Sequence, residues 1–283
     1  MKWEVYEVVL RLLSPLHLGC GKAGNLLRTR GYVPGRVLWG ALTMRLTRRQ
    51  GGPRTDSRDY LNLGEKVNQT LAFTYFYPAL QQGSSFSPCW PWQEDFASRF
   101  LGSYATTALS YPEQTAAEGA LHEVEFLSPF TADSGKPVFL LGYLAAGEDA
   151  PAWRSVLAQI QLGAERCYGW GRVEPYSVRG PFVDKTPIFG GKAWIEVANH
   201  DRPRVCLKQN AYLLAHTTLK NTRAEGVVEP LVGREWRSHN SNHCYAGQHV
   251  EFAGVYFQPG SRLLQKQDFQ IGPFGVWIPV PRD

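Results

Sequence analysis

The sequence predicts an α+β fold built on an antiparallel sheet, and two observations lead to it. Across residues 1–180 the hydrophobic patterns follow the order strand, helix, strand, strand, helix, strand. That is the order of a ferredoxin-like or RRM-like unit, with four strands and two helices on one face. Residues 181–283 carry short β-branched and aromatic runs separated by Gly, Pro and Asn, which is typical of strands. We expect this second half to be a mostly β domain packed on the first, with a degenerate second RRM-like unit as the alternative.

The first strand and the first helix have simple patterns. Residues 3–13, "WEVYEVVLRLL", roughly alternate polar and apolar side chains, which predicts a half-buried strand. Residues 35–49 follow a Pro-Gly break, precede "QGG" and place apolar side chains at helical spacing. They predict a helix with a basic outer side.

The remaining elements of the first unit come after a long interval. Residues 123–145 predict two strands around an Asp-Ser-Gly turn, where Gly135 can supply a positive φ. Residues 151–169 open with a proline and predict the second helix, and "GRVEPYSV" resumes a strand pattern. About seventy residues separate the first helix from these strands, too many for a plain connection, so we expect a folded insertion at about 50–121. Its aromatics, Tyr75, Phe76, Trp90 and Trp92, fit either the core of that lobe or a subunit interface.

Composition excludes several classes of protein. No run of eighteen apolar residues and no leader pattern occurs, so we expect a cytoplasmic protein without a membrane partner. Five cysteines without CxxC pairing predict reduced thiols rather than a disulfide framework. Residues 8–55 hold nine Lys or Arg and no Asp or Glu, whereas residues 84–125 hold six acids and one arginine. The basic stretch predicts a face that binds a polyanion.

Residues 162–175, "LGAERCYGWGRVEP", form the most unusual loop in the sequence. Glycines let backbone N–H groups approach an anion, arginines fit phosphate, and aromatic rings stack on exposed bases. Equally, the glycines could serve only close packing of helix on strand, with the aromatics in the core. The candidate RNA-binding residues of this loop are Gly163, Arg166, Tyr168, Gly169, Trp170, Gly171 and Arg172.

The basic stretch supplies further candidates for RNA contact. Lys22, Arg28, Arg30 and Arg36 are natural phosphate partners because no local acid balances them. His17 sits in a glycine-flanked turn and is included with them as a candidate. Two further interpretations stay open for it: a general acid or base, and a turn residue that bonds to backbone.

A second unusual cluster lies at residues 233–249. His239, His243, Cys244 and His249 fall within eleven residues, but their spacing fits no standard zinc motif, so we predict no metal site and no cofactor. Arg234, Arg237 and Trp236 favour contact with RNA or with a neighbouring subunit instead. We include Arg234 and Arg237 among the RNA-binding candidates.

Three separate pieces of sequence resemble one family. "SPLHLGCGK" at 14–22, "YVPGRVLWGAL" at 32–42 and "GAERCYGWGRV" at 163–173 are similar to the turn, helix-opening and glycine-rich loop motifs of the RAMP superfamily of CRISPR-associated proteins, in the same order. The resemblance covers residues 1 to about 180. Within the superfamily the sequence is most similar to the type III-D subunit that caps the backbone of the effector complex and holds the 5′ handle of the guide RNA.

The resemblance implies an RNA-binding subunit of a crRNA-guided type III effector complex in antiviral defence. Its implied partners are crRNA, other RAMP backbone subunits and the large subunit, with target RNA left open. Family members that cut RNA carry an acid between the first two motifs, whereas residues 20–33 here hold Asn25 and no Asp or Glu. The resemblance therefore implies a subunit without catalysis.

Two alternatives stay open. One is a metal-independent endonuclease of the same superfamily that processes repeat RNA, with His17 as general acid or base. Its glycine-rich loop usually lies near the C-terminus, whereas about 110 residues follow the loop here. The other is a β-rich protein that binds a different polyanion.

Overall fold

The computed structural model describes residues 2–51, 57–198, 200–235 and 249–281. Up to residue 182, these described residues form twelve strands and three α-helices. In chain order these are β1 (Trp3–Leu12), β2 (Gly19–Ala23), β3 (Leu26–Thr29), α1 (Gly35–Gly51), α2 (Ser57–Thr70), β4 (Leu71–Phe73), β5 (Tyr77–Gln82), β6 (Ser85–Pro88), α3 (Phe96–Phe100), β7 (Leu101–Thr106), β8 (Leu109–Ser110), β9 (Thr115–Ala116), β10 (His122–Leu127), β11 (Phe139–Gly147) and β12 (Val173–Phe182). Two 3-10 helices, Trp153–Gln159 and Arg166–Tyr168, lie between β11 and β12.

The described part of the second half contains strands and one 3-10 turn, Pro273–Gly275. The strands are β13 (Thr186–Ile188), β14 (Ala193–Glu196), β15 (Arg204–Leu207), β16 (Thr217–Thr218), β17 (Ala224–Glu225), β18 (Val228–Glu235), β19 (His249–Phe257), β20 (Arg262–Leu263), β21 (Gln267–Ile271) and β22 (Trp277–Pro279). A second RRM-like unit would need two helices, and these residues provide none longer than that turn. The alternative of a degenerate copy is therefore not borne out for them.

The main sheet confirms the predicted fold class. Its strands run in the order β12-β1-β11-β5-β6, with β4 also paired to β11, and the pairs are antiparallel. Taken as fourth, first, third and second strands, β12, β1, β11 and β5 have the order of an RRM-like sheet. Strand β1 forms as predicted but is buried on both faces rather than half-buried, because Val8 and Leu10 join one core and Val5 and Val9 join another.

The second strand of this unit was predicted wrongly. It is formed by β4 and β5 within "LAFTYFYPAL", which we assigned to the insertion, and not by residues from 123 onward. Residues 71–79 are buried on both faces, so the polar alternation that marks a half-buried strand is missing. Strand β10 belongs instead to a separate sheet of order β2-β3-β10-β7.

The second helix also differs from its prediction. A seven-residue 3-10 helix, Trp153–Gln159, replaces the α-helix expected over 151–169. Its apolar side chains still face the core, with Trp153, Val156 and Leu157 buried. Ile160 is already extended and Gln161 bridges to Arg172, so the chain turns into a strand-like pairing before a longer helix can form.

Two cores cover the two faces of the main sheet. One packs α1, α2 and the 3-10 helix against the sheet. The other packs the opposite face against an eight-stranded sheet of order β13-β14-β15-β21-β22-β16-β19-β18, in which only β16 and β22 pair in parallel. Tyr75, Phe76 and Trp90 lie in these cores and Trp92 packs against one of them, so these aromatics are core residues, but of the main sheet and not of a separate lobe as predicted.

Two further expectations concern cysteines and membranes. Cys20, Cys89, Cys167 and Cys206 are free thiols, as predicted. Among the described residues, no helix combines the length and the apolar character that crossing a bilayer requires.

Candidate nucleic-acid interface

The glycine-rich loop lies directly on the first glycine-flanked turn. The Ala164 N–H donates to the His17 carbonyl at 3.0 Å, and the Gly171 N–H donates to the Pro15 carbonyl at 2.7 Å. The Arg166 guanidinium approaches the sulfur of Met44 in α1 at 3.8 Å. Parts of the chain that are about 150 residues apart in sequence, both carrying family-like motifs, therefore form one surface.

Close packing explains two of the three loop glycines. A Cβ on Gly163 (φ +73) would lie 2.2 Å from the His17 carbonyl oxygen, and one on Gly171 (φ +72) would lie 1.8 Å from the Leu162 oxygen. Gly169 also has a positive φ, +83, but a Cβ there would meet nothing within 4 Å. Backbone strain, rather than crowding, requires glycine at this third position.

The backbone donors of the loop are largely used inside the protein. The N–H groups of Gly169, Trp170 and Gly171 donate to the carbonyls of Arg166, Glu165 and Pro15. At these positions the main chain has no free donor for an anion. Any phosphate contact here must come mainly from side chains.

The side chains of the loop divide into two groups. Arg166 and Arg172 are exposed, and Tyr168 is 80 % exposed. Trp170 is half-buried and packs edge-on against Phe126, with ring centroids 5.1 Å apart. Tyr168 is therefore available for stacking, while Trp170 anchors the loop.

The predicted basic residues also divide into exposed side chains and side chains packed on the protein. Lys22 and Arg28 are exposed on the β2–β3 hairpin, and Arg28 forms an ion pair of 3.6 Å with Glu125. Arg36 packs its guanidinium over the Phe274 ring at 5.0 Å, and it lies so close to Gly233 that a Cβ there would clash with it. Lys22 and Arg28 are therefore better placed than Arg36 to contact a ligand.

His17 lies beneath the loop. Its side chain is 5 % exposed, and its Nδ1 lies 2.7 Å from the Glu125 carbonyl. Because a carbonyl only accepts, Nδ1 donates in this hydrogen bond. This geometry matches the interpretation of a turn histidine bonded to backbone, and its burial leaves little surface for direct RNA contact.

The Arg30 side chain is paired with an acid inside the protein, although no acid lies near it in the sequence. Its guanidinium forms a bidentate pair with Glu229 of β18, at 2.6 and 3.0 Å, and donates to the Tyr32 hydroxyl at 3.0 Å. Glu229 lies 199 residues away in sequence, so no local balance of acids could reveal it. Arg30 clamps the two halves of the protein together.

The clamp continues through a buried histidine. His216 donates from Nε2 to Glu229 at 2.5 Å, and Tyr75 donates to His216 Nδ1 at 2.7 Å. Burial disfavours the carboxylate, yet hydrogen bonds from His216 and Arg30 and the arginine charge hold the pKa of Glu229 down to about 2. Burial also lowers the pKa of His216, which stays neutral.

Two carboxylates approach the segment at 20–33 that has none of its own. Glu125 Oε2 accepts the Thr29 N–H at 2.8 Å, and Glu229 holds Arg30. Neither contact has a local signal in the sequence, because β10 and β18 reach this segment only through the fold. Both acids are already paired with protein groups.

The remaining predicted residues lie at or beyond the limit of what the structure describes. The backbone of Arg234 belongs to β18 and that of His249 to β19. Arg237, Trp236, His239, His243 and Cys244 lie outside the described residues. In the described part of the chain, no three His, Cys, Asp or Glu side chains are grouped so that they could hold a metal ion.

Comparison with known proteins supports the fold. No protein-family model and no curated protein matches this sequence. The structure is similar to a chain in the cryo-EM structure of the type III-B Cmr-beta bound to cognate target RNA and AMPPnP, with a TM-score of 0.51, 14 % identity and coverage of 92 % of this chain and 86 % of that chain. A chain of type III-B Cmr-beta bound to cognate target RNA gives a TM-score of 0.50, 12 % identity and the same coverage. At these identities the likeness shows a shared fold that extends over both halves of the molecule.

Proposed function

We propose that this protein is a non-catalytic RNA-binding subunit of a crRNA-guided type III CRISPR effector complex. One observation carries the proposal: the glycine-rich loop packs on the turn at 14–18 and presents Arg166, Tyr168 and Arg172 to solvent. The three motifs that resemble the RAMP superfamily support it, because two of them form this surface. The shared fold with chains of a type III-B complex bound to target RNA also supports it.

The proposed contact uses side chains on a rigid base. Arg166 and Arg172 bind phosphates of the guide, and Lys22 and Arg28 on the neighbouring hairpin extend the basic surface. Tyr168 stacks on an unpaired base, which every base sequence allows. The subunit therefore holds RNA without selecting its sequence. We place it, as the motifs suggest, where the 5′ handle of the guide is held.

RNA binding by the purified protein tests this proposal. The double variant Arg166→Ala with Arg172→Ala should bind repeat-derived RNA more weakly, and the slope of log affinity against log salt should fall by roughly 1.4, because two phosphate contacts to a single strand are lost. The matched control is Arg223→Ala with Arg262→Ala, which removes two exposed arginines from the second half. Equal affinity and equal slope for the wild type and the loop variant would contradict the proposal.

The absence of catalysis is tested separately. The proposal expects no cleavage of repeat RNA, since His17 is buried and the two carboxylates near residues 20–33 are already paired. Repeat RNA is incubated with the wild type and with His17→Ala in the presence and absence of Mg²⁺. Cleavage at one site that disappears in His17→Ala would establish the endonuclease alternative instead.

A further inference from the structure

Strands β18 and β19 form a ribbon whose two faces differ. Opposite one another across the ribbon stand Pro230 and Val255, then Val232 and Phe252. On the other face, Glu229 meets Arg30 and Gly233 contacts Arg36. That face is therefore fixed to the body of the protein.

The outward face is apolar and open. We call it the β18–β19 apolar face and define it by six residues that are all exposed: Val228, Pro230, Val232, Val250, Phe252 and Val255. Phe252 is 61 % exposed and Val232 is 59 % exposed, which is unusual for side chains of this size in regular strands. None of the six carries a charge, and Arg234, which pairs with Val250, stands on the same side of the ribbon by register, so the face is apolar except at that end.

The same ribbon ends its sheet in an open edge. Strand β18 is the last in the order of the eight-stranded sheet, and within the described residues no strand pairs with its outer side. The main sheet also ends in a long strand, β12, but exposed Glu174 and Arg179 and two prolines protect that edge. The β18 edge has one proline, Pro230, and its outward positions 228, 230 and 232 carry no charge.

We propose that the β18–β19 apolar face and the β18 edge dock an extended, apolar strand of a partner protein subunit. Such a strand would pair with the main-chain groups on the outer side of β18 and cover the apolar side chains. The six side chains provide on the order of 400 Å², about half of the roughly 800 Å² per partner that a stable independent interface buries. A second copy packed face to face is therefore disfavoured, and one contact within a larger assembly fits better. The inference rests on the proposed function only in assuming that the protein works in a multisubunit complex.

Reconstitution of the complex tests the inference. The chain is expressed with the other RAMP subunits, the large subunit and guide RNA of the same source, and its share in the purified complex is measured. Phe252→Glu and Val232→Glu should each reduce that share at least tenfold, with an unchanged circular dichroism spectrum and thermal midpoint. Phe252→Leu, which stays apolar, and Val183→Glu, which alters a residue 47 % exposed elsewhere, should assemble like the wild type.

Other outcomes would overturn the inference. It fails if Phe252→Glu assembles like the wild type. It also fails if the isolated wild type sediments as a dimer that Phe252→Glu dissociates, or if Phe252→Glu instead weakens RNA binding. A wild type that neither joins the complex nor binds RNA contradicts the proposed function as well. A loss of RNA binding in the Arg166 and Arg172 double variant, beside normal assembly of Phe252→Glu, refutes the docking surface alone.

Discussion

Glu229 is the acid that pairs with Arg30 of the first half and with His216 of the second. Replacing it by Gln leaves Arg30 and His216 buried without their charged acceptor, so we expect the free energy of unfolding to fall by about 3 kcal/mol. Urea denaturation at pH 7 measures the change. The matched control is Glu225→Gln, which breaks an exposed pair with Arg262 and should change stability by less than about 1 kcal/mol. A similar loss of unfolding free energy in both variants would contradict a special role for the Glu229 ion pair.

The lowered pKa of Glu229 predicts that the stability of the protein depends on pH. The Glu229 carboxylate has a pKa of about 2 in the folded protein, below its ordinary value of about 4.3 in the unfolded chain. The stability it contributes is therefore complete above pH 5 and is lost as the pH falls toward 2. The difference in free energy of unfolding between the wild type and Glu229→Gln should narrow over this range. A gap that stays constant from pH 6 to pH 3 would be inconsistent with this assignment.

Substitutions at Tyr168 and at Trp170 should have different effects, the first on RNA affinity and the second on thermal stability. Tyr168 is exposed, so Tyr168→Ala should weaken RNA binding by about 1–3 kcal/mol and leave the thermal midpoint unchanged. Trp170 packs on Phe126, so Trp170→Ala should lower the midpoint. Anisotropy with labelled RNA and thermal melting of both variants check this. The prediction is wrong if Tyr168→Ala melts early and binds normally.

At the scale of elements, the glycine-rich loop is constrained by contact at two positions and by conformation at the third. Gly171→Ala should destabilise the protein by at least about 2 kcal/mol more than Gly169→Ala. Only the former places a Cβ against a backbone oxygen, whereas both share a positive φ. Chemical denaturation of the two variants makes the comparison, with Gly169→Ala as the internal control. Equal losses would mean that conformation alone requires these glycines.

The elements that keep polar residues in their pattern were predictable from sequence. Strand β1 keeps Glu4, Glu7 and Arg11 although both of its faces join a core, and α1 and β12 each carry exposed residues. Residues 71–79 are covered on both sides, so their pattern resembles an irregular aromatic lobe. The α-helix predicted at 151–169 does not form, because Ile160 is extended and Gln161 bridges to Arg172. Helix propensity does not account for such a tertiary contact.

The candidate site was predictable only where its contacts are local. The motifs located the loop, its exposed arginines and the turn beneath it. Arg30 was assigned to RNA because its partner, Glu229, comes from a strand in the other half. Glu125 likewise reaches Arg28 from a separate strand. Charge counted along the sequence cannot detect neutralisation across the fold.

At the scale of the whole molecule, the second half covers one face of the main sheet. Trp3, Tyr77 and Tyr143 face it, and the Tyr77 hydroxyl donates to the Leu214 carbonyl at 2.8 Å. A fragment of residues 1–182 would expose this apolar face, so it should not unfold cooperatively. Near-ultraviolet circular dichroism and a urea titration check the expectation against the full chain. A sharp transition of the fragment would show that the halves are independent.

The place of β1 in the sheet has a consequence for synthesis. It is made before β11 and β12 and lies between them, with Leu10 opposite Leu140 on one side and Pro175 on the other. At about 5–20 residues per second, roughly ten to thirty seconds pass before both neighbours exist. During that time an apolar strand emerges from the ribosome without its partners. The main sheet can therefore be completed only after residue 182 has been added.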